Sequence, residues 1–150
     1  MITKLDHTQI AQAKGIHTVF QKSYKIEAQL IGVENFPPLS RSIEDIASSK
    51  SEFYGFIDQQ TLAAVIEIQI SEQHLDIHSL TVDPQFFRKG IAGKLINYVL
   101  NECDIKQATV ETALVNAPAI KLYNKYGFAV FKQWTPSHGI EKVALRVDCT

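Results

Sequence analysis

The sequence predicts a mixed α/β (α+β) fold, in which helices flank a central, mostly antiparallel twisted sheet, and three observations lead to that prediction. The chain has 150 residues, a length typical of one domain, and no repeat or Gly/Ser-rich linker divides it. Apolar residues recur at helical spacing in three segments. Other segments alternate with the period of two that characterises strands. We therefore expect residues 1–150 to form a single domain.

The first helix is expected from about Thr8 to Leu30, where apolar side chains return every three or four residues. The two prolines of the following sequence NFPPLS cannot continue a helix interior, so they end the pattern. Ser40 or Ser42 then caps a short second helix.

Three strands come next, with the sequences EFYGFID, TLAAVIEIQI and HLDIHSLTV. Their polar connections are too short for a crossover, which predicts an antiparallel meander. In the middle strand Glu67 and Gln69 share one face. The apolar residues that we expect on the opposite face are Leu62, Ala64, Ile66, Ile68 and Ile70.

The second half of the chain repeats both patterns. A helix is expected from Gly90 to about Cys103, followed by the strand ATVETAL. A further helix, APAIKLYNKYG, ends at Gly127, because glycine is a common helix C-terminal residue. The segments FAVFKQW and IEKVALRVD complete the fold as two more strands.

Charge and composition disfavour several classes of function. The chain carries 15 Lys and Arg against 16 Asp and Glu, a net charge of −1, which disfavours a nucleic-acid partner. The longest apolar run, residues 62–66, is far shorter than the ~20 residues that cross a bilayer, and the N-terminus lacks a signal-peptide core. We expect a cytoplasmic protein with no membrane partner. Cys103 and Cys149 show no metal-ligand spacing, so no metal site is expected.

The segment SLTVDPQFFRKGIAGKL, residues 79–95, has the features of an anion site. A helix that begins near Gly90 offers backbone N–H groups without partners inside the helix, and its dipole favours negative charge. Small residues allow a ligand to approach the backbone, and no acidic residue occurs from 84 to 101. The small residues and cations of this segment are Gly90, Ala92, Gly93, Arg88, Lys89 and Lys94. The segment suits a pyrophosphate.

A second segment, VETALVNAPAIKLYNKYGF, covers residues 110–128. Asn116 leads into a helix that has Pro118 in its first turn, an ordinary way for a helix to begin. Tyr123 follows seven residues after Asn116, two helical turns later, so both lie on one side of the helix about 10 Å apart.

Taken in order, the two segments resemble the motifs of the GCN5-related N-acetyltransferase (GNAT) superfamily, and the resemblance covers about residues 52–148. The first motif, roughly V-x-P-x-x-[RQ]-x-x-G-x-[GA], is matched by Val82, Pro84, Gly90 and Ala92. The second, roughly N-x-x-A-x-x-L-Y-x-x-x-G-F, is matched by Asn116, Ala119, Leu122, Tyr123, Gly127 and Phe128. Phe87 stands where the family has Arg or Gln, with Arg88 one place later.

The resemblance implies a GNAT-like domain that uses acetyl-CoA as cosubstrate. Leu80, Thr81 and Val82 would offer backbone groups to the pantetheine arm, and Asn116 would contact it or help to part the sheet. Tyr123 would lie near the sulfur. The residues that would hold the pyrophosphate are Phe87, Arg88, Lys89, Gly90, Ile91, Ala92 and Gly93.

We expect an N-acetyltransferase that works by direct attack of a primary amine, because neither cysteine falls in a motif. Tyr123 is the expected acid for the departing thiolate. Glu111 is the first choice for the base, since some relatives that modify protein N-termini carry glutamate there. Glu67, Asp76 and His78 are alternatives.

Three questions stay open at this point. A non-catalytic acyl-CoA-binding sensor or interaction module is the alternative function. The acceptor is a small-molecule or peptide amine, and by family analogy Phe36 and Tyr54 are expected to contact it. A homodimer is left open.

Overall fold

The computed structural model describes residues 1–137 and 139–149, and within them it confirms the mixed α/β fold. Seven strands form one sheet, with four α-helices packed against it. Single 3₁₀ turns lie at Pro37–Ser40 and Pro84–Phe86. In chain order the elements are β1 (Ile2–Leu5), α1 (Ile10–Ile31), α2 (Ile43–Ala47), β2 (Glu52–Asp58), β3 (Thr61–Ser71), β4 (His74–Val82), α3 (Ile91–Glu102), β5 (Gln107–Ala113), α4 (Ala117–Lys125), β6 (Ala129–Trp134) and β7 (Lys142–Asp148).

Of the two serines considered for the second helix, Ser42 is the cap. Its hydroxyl accepts a hydrogen bond from the N–H of Asp45, and the Asp45 carboxylate accepts one from the N–H of Ser42, each at 3.0 Å. This reciprocal capping box satisfies two N–H groups that the helix cannot pair internally. The start of α2 is therefore fixed by local side chains.

The strand order is β1-β2-β3-β4-β5-β7-β6, and every neighbouring pair is antiparallel except β4 with β5. The expected meander of β2, β3 and β4 is confirmed. Strand β1 was not predicted. It pairs with β2 from Ile2 opposite Phe56 to Leu5 opposite Phe53, and its four residues are too few to show an alternation that sequence alone reveals.

Strands β4 and β5 pair over only four residues each. His74 to Ile77 lie opposite Gln107 to Val110 in parallel register, and beyond that point the two strands have no pairing with each other. The remainder of β4 stays paired with β3, and the remainder of β5 stays paired with β7. The sheet therefore opens between its fourth and fifth strands.

The sheet is covered on both faces. Helices α3 and α4 cover one face, where the buried core residues include Ile66, Ile68, Leu75, Leu95, Ile96, Val99 and Leu145. Helices α1 and α2 cover the other, where the core is formed by Ala13, Ile16, Val19, Phe20, Ile46, Phe53 and Val65. No helix among the described residues has the length and apolar character that crossing a membrane requires.

A register shift in β3 corrects one prediction. Phe56 lies opposite Ala64 but Ile57 lies opposite Leu62, so Ala63 is an extra residue in the strand. A one-residue bulge inverts the alternation of side chains. Leu62 consequently packs in the core under α1, on the face opposite to Ala64, and the expectation that the two share a face was wrong.

Candidate active site

Three cavities meet where β4 and β5 part. The gap cavity, about 270 Å³, lies between the strands and is lined by residues of both, by Asn116 and by Tyr123. The loop cavity, about 520 Å³, is lined by residues 86–93 together with side chains of α1, β4 and the start of α4, which are apolar except for Ser23, Glu27 and Asn116. The polar cavity, about 620 Å³, lies beside α2 and is lined by Arg41, Ser51, Glu67, Gln69, Asp76, His78, Ser79, Glu111 and Lys142 among others.

The gap cavity shares lining residues with each of its neighbours. Leu80, Asn116 and Ala119 line both the gap and the loop cavities. His78 and Glu111 line both the gap and the polar cavities. The three spaces are therefore adjacent along the parted strands, and we refer to them together as the passage.

Strand β4 turns backbone groups toward this passage. In an antiparallel ladder only every second residue bonds to the partner strand. The N–H of Asp83 donates to the carbonyl of Ala63 at 2.8 Å, so Leu80 and Val82, out of phase with Asp83, direct their N–H and C=O groups toward the parted edge. Thr81 is the exception among the three predicted residues. Its buried hydroxyl donates to the Val65 carbonyl at 3.4 Å, on the α1 face.

The loop before α3 bends sharply twice. Arg88 and Gly90 have φ angles of 65° and 72°, and Gly90 is the N-cap of α3. Arg88 pays a conformational cost of about 1–2 kcal/mol that glycine avoids. A Cβ placed on Gly90 would have no heavy atom within 4 Å, so its hydrogen faces open space at the mouth of the helix. No side chain at position 90 therefore obstructs the approach of a ligand to the first turn of α3.

Gly93 serves a different purpose from Gly90. A Cβ on Gly93 would overlap the hydroxyl of Tyr126, so its small size lets α3 pack against the end of α4. The three cations of this segment also differ in position. Arg88 and Lys89 line the loop cavity, whereas Lys94 lies over the ring of Phe56 at 5.6 Å, outside the residues that line it. The expectation that Lys94 adds charge at the loop is therefore not met.

Asn116 and Tyr123 stand at opposite ends of one face of α4. The Asn116 side chain accepts a hydrogen bond from the N–H of Ala119 at 3.3 Å and donates one to the Thr112 hydroxyl at 3.4 Å, which links the helix cap to β5. Tyr123 is 5% exposed and packs edge-on against Phe128. Burial raises the pKa of the Tyr123 phenol well above its ordinary value, so the hydroxyl keeps its proton at neutral pH.

The polar cavity contains a buried ion pair. Arg41 donates two hydrogen bonds to the Glu67 carboxylate, at 2.7 and 2.9 Å, and Ser79 donates a third at 3.0 Å. Burial raises the pKa of Glu67, but the Arg41 pair and the hydroxyl bonds outweigh it and hold that pKa below its ordinary value. Glu67 is therefore a fully engaged carboxylate rather than a proton acceptor.

Two titratable groups flank the start of the gap. Ile77 and Val110 are the last paired residues of β4 and β5, so His78 and Glu111 occupy the next position on each strand. The Glu111 carboxylate is about half exposed and lies 3.3 Å from the ammonium of Lys142. His78 Nε2 lies 3.2 Å from the carboxylate of Asp76. Among the described residues no group of three or more His, Cys, Asp or Glu is arranged to hold a metal ion.

The two residues that were predicted to contact the acceptor do not lie together. Phe36 is buried and lines the gap cavity. Tyr54 lies on the α3 face of the sheet, where its ring packs against Tyr98 with centroids 5.6 Å apart, and it is not among the residues that line the three cavities. The alternation of β2 places Tyr54 opposite Ile66, whose side chain is in the α3 core.

The lining residues that sequence reasoning missed include Tyr24, Glu27, Arg41 and Lys142. Tyr24 and Glu27 are three residues apart on α1, so helical spacing could have placed them on one face. Arg41 and Lys142 lie outside the motifs, and no local signal connects them to β3 or β5.

The fold and the passage can now be compared with known proteins. Residues 26–149 match the family model described as acetyltransferase (GNAT) domain. The chain belongs to the GNAT acetyltransferase family. This GNAT chain superposes on the crystal structure of the ribosomal-protein-S18-alanine N-acetyltransferase from Escherichia coli with a TM-score of 0.79 and 17% identity, covering 100% of this chain and 94% of that one.

Two further proteins are similar to this chain. The PaiA N-acetyltransferase of Thermoplasma acidophilum, whose structure is a complex with coenzyme A, gives a TM-score of 0.79 at 18% identity, covering 99% of this chain and 98% of that one. The UPF0157 protein YqkA of Bacillus subtilis strain 168 is 35% identical over 130 residues. Those residues are 85% of this GNAT chain, which spans only 38% of the length of YqkA.

Proposed function

We propose that this GNAT protein transfers the acetyl group of acetyl-CoA to a primary amine of a small molecule or peptide. The observation that carries the proposal is the passage through the parted strands, which joins the loop cavity to the polar cavity and has Tyr123 in its wall. An acyl donor and an amine can enter such a passage from opposite ends. The coenzyme A complex of the PaiA relative supports the identity of the donor.

The residues of the loop fit the phosphates of coenzyme A. Open space at the Gly90 Cβ position gives a ligand access to the first-turn amides of α3, where a helix dipole favours anions. Arg88 and Lys89 line the same cavity, and no residue from 86 to 93 is acidic. We propose that residues 87–93 hold the pyrophosphate.

The pantetheine arm would lie between β4 and the start of α4. We propose that the backbone groups of Leu80 and Val82 bond to its amides, since both face the parted edge. The side chain of Asn116, already engaged with Ala119 and Thr112, would position the start of α4 beside the arm. Thr81 would contribute by keeping β4 attached to β3.

The reaction requires three proton movements in addition to acyl transfer. Acetyl-CoA supplies an activated acetyl thioester. The acceptor enters as an ammonium with a pKa near ~10 and must lose one proton before its nitrogen lone pair can form the C–N bond. As the C–S bond breaks, the thiolate takes a proton from the Tyr123 hydroxyl, which the raised pKa keeps protonated until then. The nitrogen loses its second proton as the amide forms, and that proton restores the Tyr123 hydroxyl.

Glu111, the base predicted from the sequence, has its carboxylate in the wall shared by the gap and polar cavities. We propose that the Glu111 carboxylate attracts the acceptor while the acceptor is still an ammonium cation. Either Glu111 or His78 then takes the proton. Glu67 is unsuited to this role because Arg41 already occupies both of its oxygens.

The experiment combines ligand stabilisation with turnover. We expect acetyl-CoA at 100 times its dissociation constant to add about 2.7 kcal/mol to the free energy of unfolding. Release of CoA thiol is then followed with an alanine-initiated peptide, a lysine peptide, spermidine, an amino acid and an aminoglycoside. Turnover of one of these supports the enzyme. Stabilisation without any turnover favours a non-catalytic sensor. The absence of both stabilisation and turnover contradicts both functions.

A further inference from the structure

The side chain of His78 is placed by an irregularity of β4. Ser79 lies opposite Glu67 and Ile77 lies opposite Ile68, so His78 is an extra residue with no partner in β3. A bulge of this kind re-aims a side chain and is frequent beside active sites. It occurs at the residue where β4 loses its pairing with β5, and it leaves His78 35% exposed in the wall of both the gap and the polar cavities.

Asp76 lies beside the His78 ring. Its carboxylate is 3.2 Å from Nε2, an ion-pair contact that favours the neutral tautomer with the hydrogen on Nε2. The other ring nitrogen, Nδ1, then holds an unshared electron pair. A carboxylate that fixes one tautomer of a histidine leaves the second nitrogen ready to accept a proton.

The Asp76 carboxylate is itself held by groups of β5 and β4. The Thr109 hydroxyl donates to its second oxygen at 2.8 Å and lies 2.9 Å from His74 Nε2. Because the single hydroxyl hydrogen of Thr109 points to Asp76, His74 must donate to Thr109. His74 Nδ1 lies 2.9 Å from the side-chain oxygen of Gln107. The chain of hydrogen bonds therefore runs from His74 through Thr109 into Asp76.

We infer that His78 is the base of the proposed acetyl transfer, positioned by Asp76, while Glu111 attracts the ammonium across the gap. The amine nitrogen loses its proton to Nδ1 of His78, which becomes an imidazolium that Asp76 stabilises. The nitrogen lone pair is then available for the C–N bond. The partly exposed ring returns the proton to solvent after each turnover. This inference rests on the proposed function.

The charged groups that line the same cavities as His78 come from α1, β3, β4, β5, β7 and the segments on either side of α2. The carboxylates are those of Asp76 on its own strand, Glu67 on β3, Glu111 on β5 and Glu27 on α1, and the cations are those of Arg41, Lys50 and Lys142. Arg41 is neutralised by Glu67, and Lys142 lies beside Glu111. The hydrogen bond to Asp76 raises the pKa of His78 above its ordinary value, against the opposing effect of partial burial.

The test measures kcat/KM against pH with the panel amine that the wild-type enzyme acetylates fastest. Wild-type kcat/KM should rise as pH passes upward through the raised pKa of His78, because only the neutral ring accepts a proton. His78→Gln should lower kcat/KM by about 100-fold or more and remove that rise. The matched control is His17→Gln, at a residue of α1 outside the three cavities, and it should leave kcat/KM and its pH profile unchanged.

Three further variants separate a base from a merely structural residue. Asp76→Asn should move the rise in kcat/KM to lower pH, because it removes the group that raises the pKa of His78. Glu111→Gln should raise KM for the amine while the rise with pH persists. His78→Ala should recover activity on addition of imidazole, which a residue that only supports the fold would not show.

The results distinguish the two proposals. A wild-type protein that acetylates no amine contradicts the proposed function and, with it, the role of His78. If the wild type is active, His78→Gln with kcat/KM within threefold of wild type contradicts the role of His78 alone. Disappearance of the rise with pH in Glu111→Gln, with the rise retained in His78→Gln, would assign the base to Glu111. Thermal unfolding of each variant and its affinity for acetyl-CoA establish that the fold and donor site are intact.

Discussion

The two ends of the passage are built by different means. Eight consecutive residues, 86–93, line the loop cavity together with α1, β4 and the start of α4, and two of the eight, Arg88 and Gly90, have a positive φ. The polar cavity is formed by charged and hydroxyl side chains that come from β3, β4, β5, β7 and the segments on either side of α2. A backbone site suits the part of a ligand that never changes. A side-chain site can differ between relatives that share the fold, and so can the acceptor.

Gly90→Glu tests the backbone site and should have the largest effect. The substitution adds a carboxylate at the mouth of α3 and forces a residue with a side chain into a φ of 72°. We expect the dissociation constant of acetyl-CoA to rise at least about 1,000-fold, because the added carboxylate repels the phosphates and fills the space that they would occupy. Isothermal titration calorimetry measures it.

Gly32→Glu is the matched control for the loop. Gly32 also has a positive φ, 75°, and also has open space where a Cβ would lie, but it ends α1 and is not among the residues lining the loop cavity. It should show the same backbone penalty on stability with unchanged affinity. Equal loss of affinity in both variants would mean that strain, rather than the Gly90 site, causes the effect.

Arg41→Ala tests the side-chain site. Removal of Arg41 leaves Glu67, 2% exposed, as an uncompensated buried carboxylate, which should lower the free energy of unfolding by about 3–5 kcal/mol. Urea denaturation measures the loss. Lys4→Ala breaks the exposed pair with Glu52 and should cost at most about 1 kcal/mol. Similar losses in the two variants would contradict the importance of the buried pair.

The same ion pair predicts a dependence of stability on pH. Folding lowers the pKa of Glu67, so its ionised form stabilises the protein above the ordinary carboxyl pKa, and that stabilisation is lost as pH falls through the lowered value. In Arg41→Ala this part of the acid destabilisation should disappear. An acid-unfolding curve parallel to that of the wild type would show that Arg41 does not set the pKa of Glu67.

Tyr123→Phe tests the gap cavity, which lies between the loop cavity and the polar cavity. We expect kcat to fall by about 100-fold with no change in acetyl-CoA affinity, because only the proton donor for the thiolate is removed. Steady-state kinetics and calorimetry measure the two quantities. Tyr98→Phe is the control, since Tyr98 packs against Tyr54 outside the three cavities. Turnover of Tyr123→Phe equal to that of the control would remove Tyr123 from the mechanism.

Phe36→Leu should give the smallest effect. Phe36 lines the gap cavity, and its ring packs against Tyr24 with centroids 5.8 Å apart. Loss of that aromatic surface should raise KM for the amine by roughly threefold with acetyl-CoA affinity unchanged. The control, Phe131→Leu, changes an exposed side chain on β6. An unchanged KM would place Phe36 outside the acceptor site.

The difference between the two ends of the passage also explains which features could be predicted from the sequence. The loop and the start of α4 were predictable because their residues are contiguous and their glycine, proline and asparagine have local conformational roles. The two bulges, at Ala63 and His78, are different, because each depends on a partner strand that the periodicity does not specify. A single extra residue moved Leu62 to the other face and turned His78 into the gap.

Ion pairs between residues far apart in the sequence were also not predictable from it. Glu67 has the spacing of an ordinary exposed strand residue, yet Arg41, 26 positions earlier, pairs with it inside the molecule. The loop that carries Arg41 is fixed by the packing of its guanidinium over Phe20 and Phe53, at 5.7 and 5.8 Å. Such contacts follow from tertiary structure, so neither pattern nor propensity reveals them. The conformation of the loop was therefore easier to predict than the lining of the polar cavity.

The short parallel seam between β4 and β5 has a mechanical consequence. Only four residue pairs join the first four strands to the last three, and side chains reinforce them on one face. His74 bonds to Gln107 and Thr109, and Thr109 bonds to Asp76. The hydrogen bonds that hold Asp76 beside His78 thus also reinforce the joint between the two halves of the sheet. A motion that widened the cleft would stretch these bonds, so the width of the cleft and the placement of Asp76 beside His78 are linked.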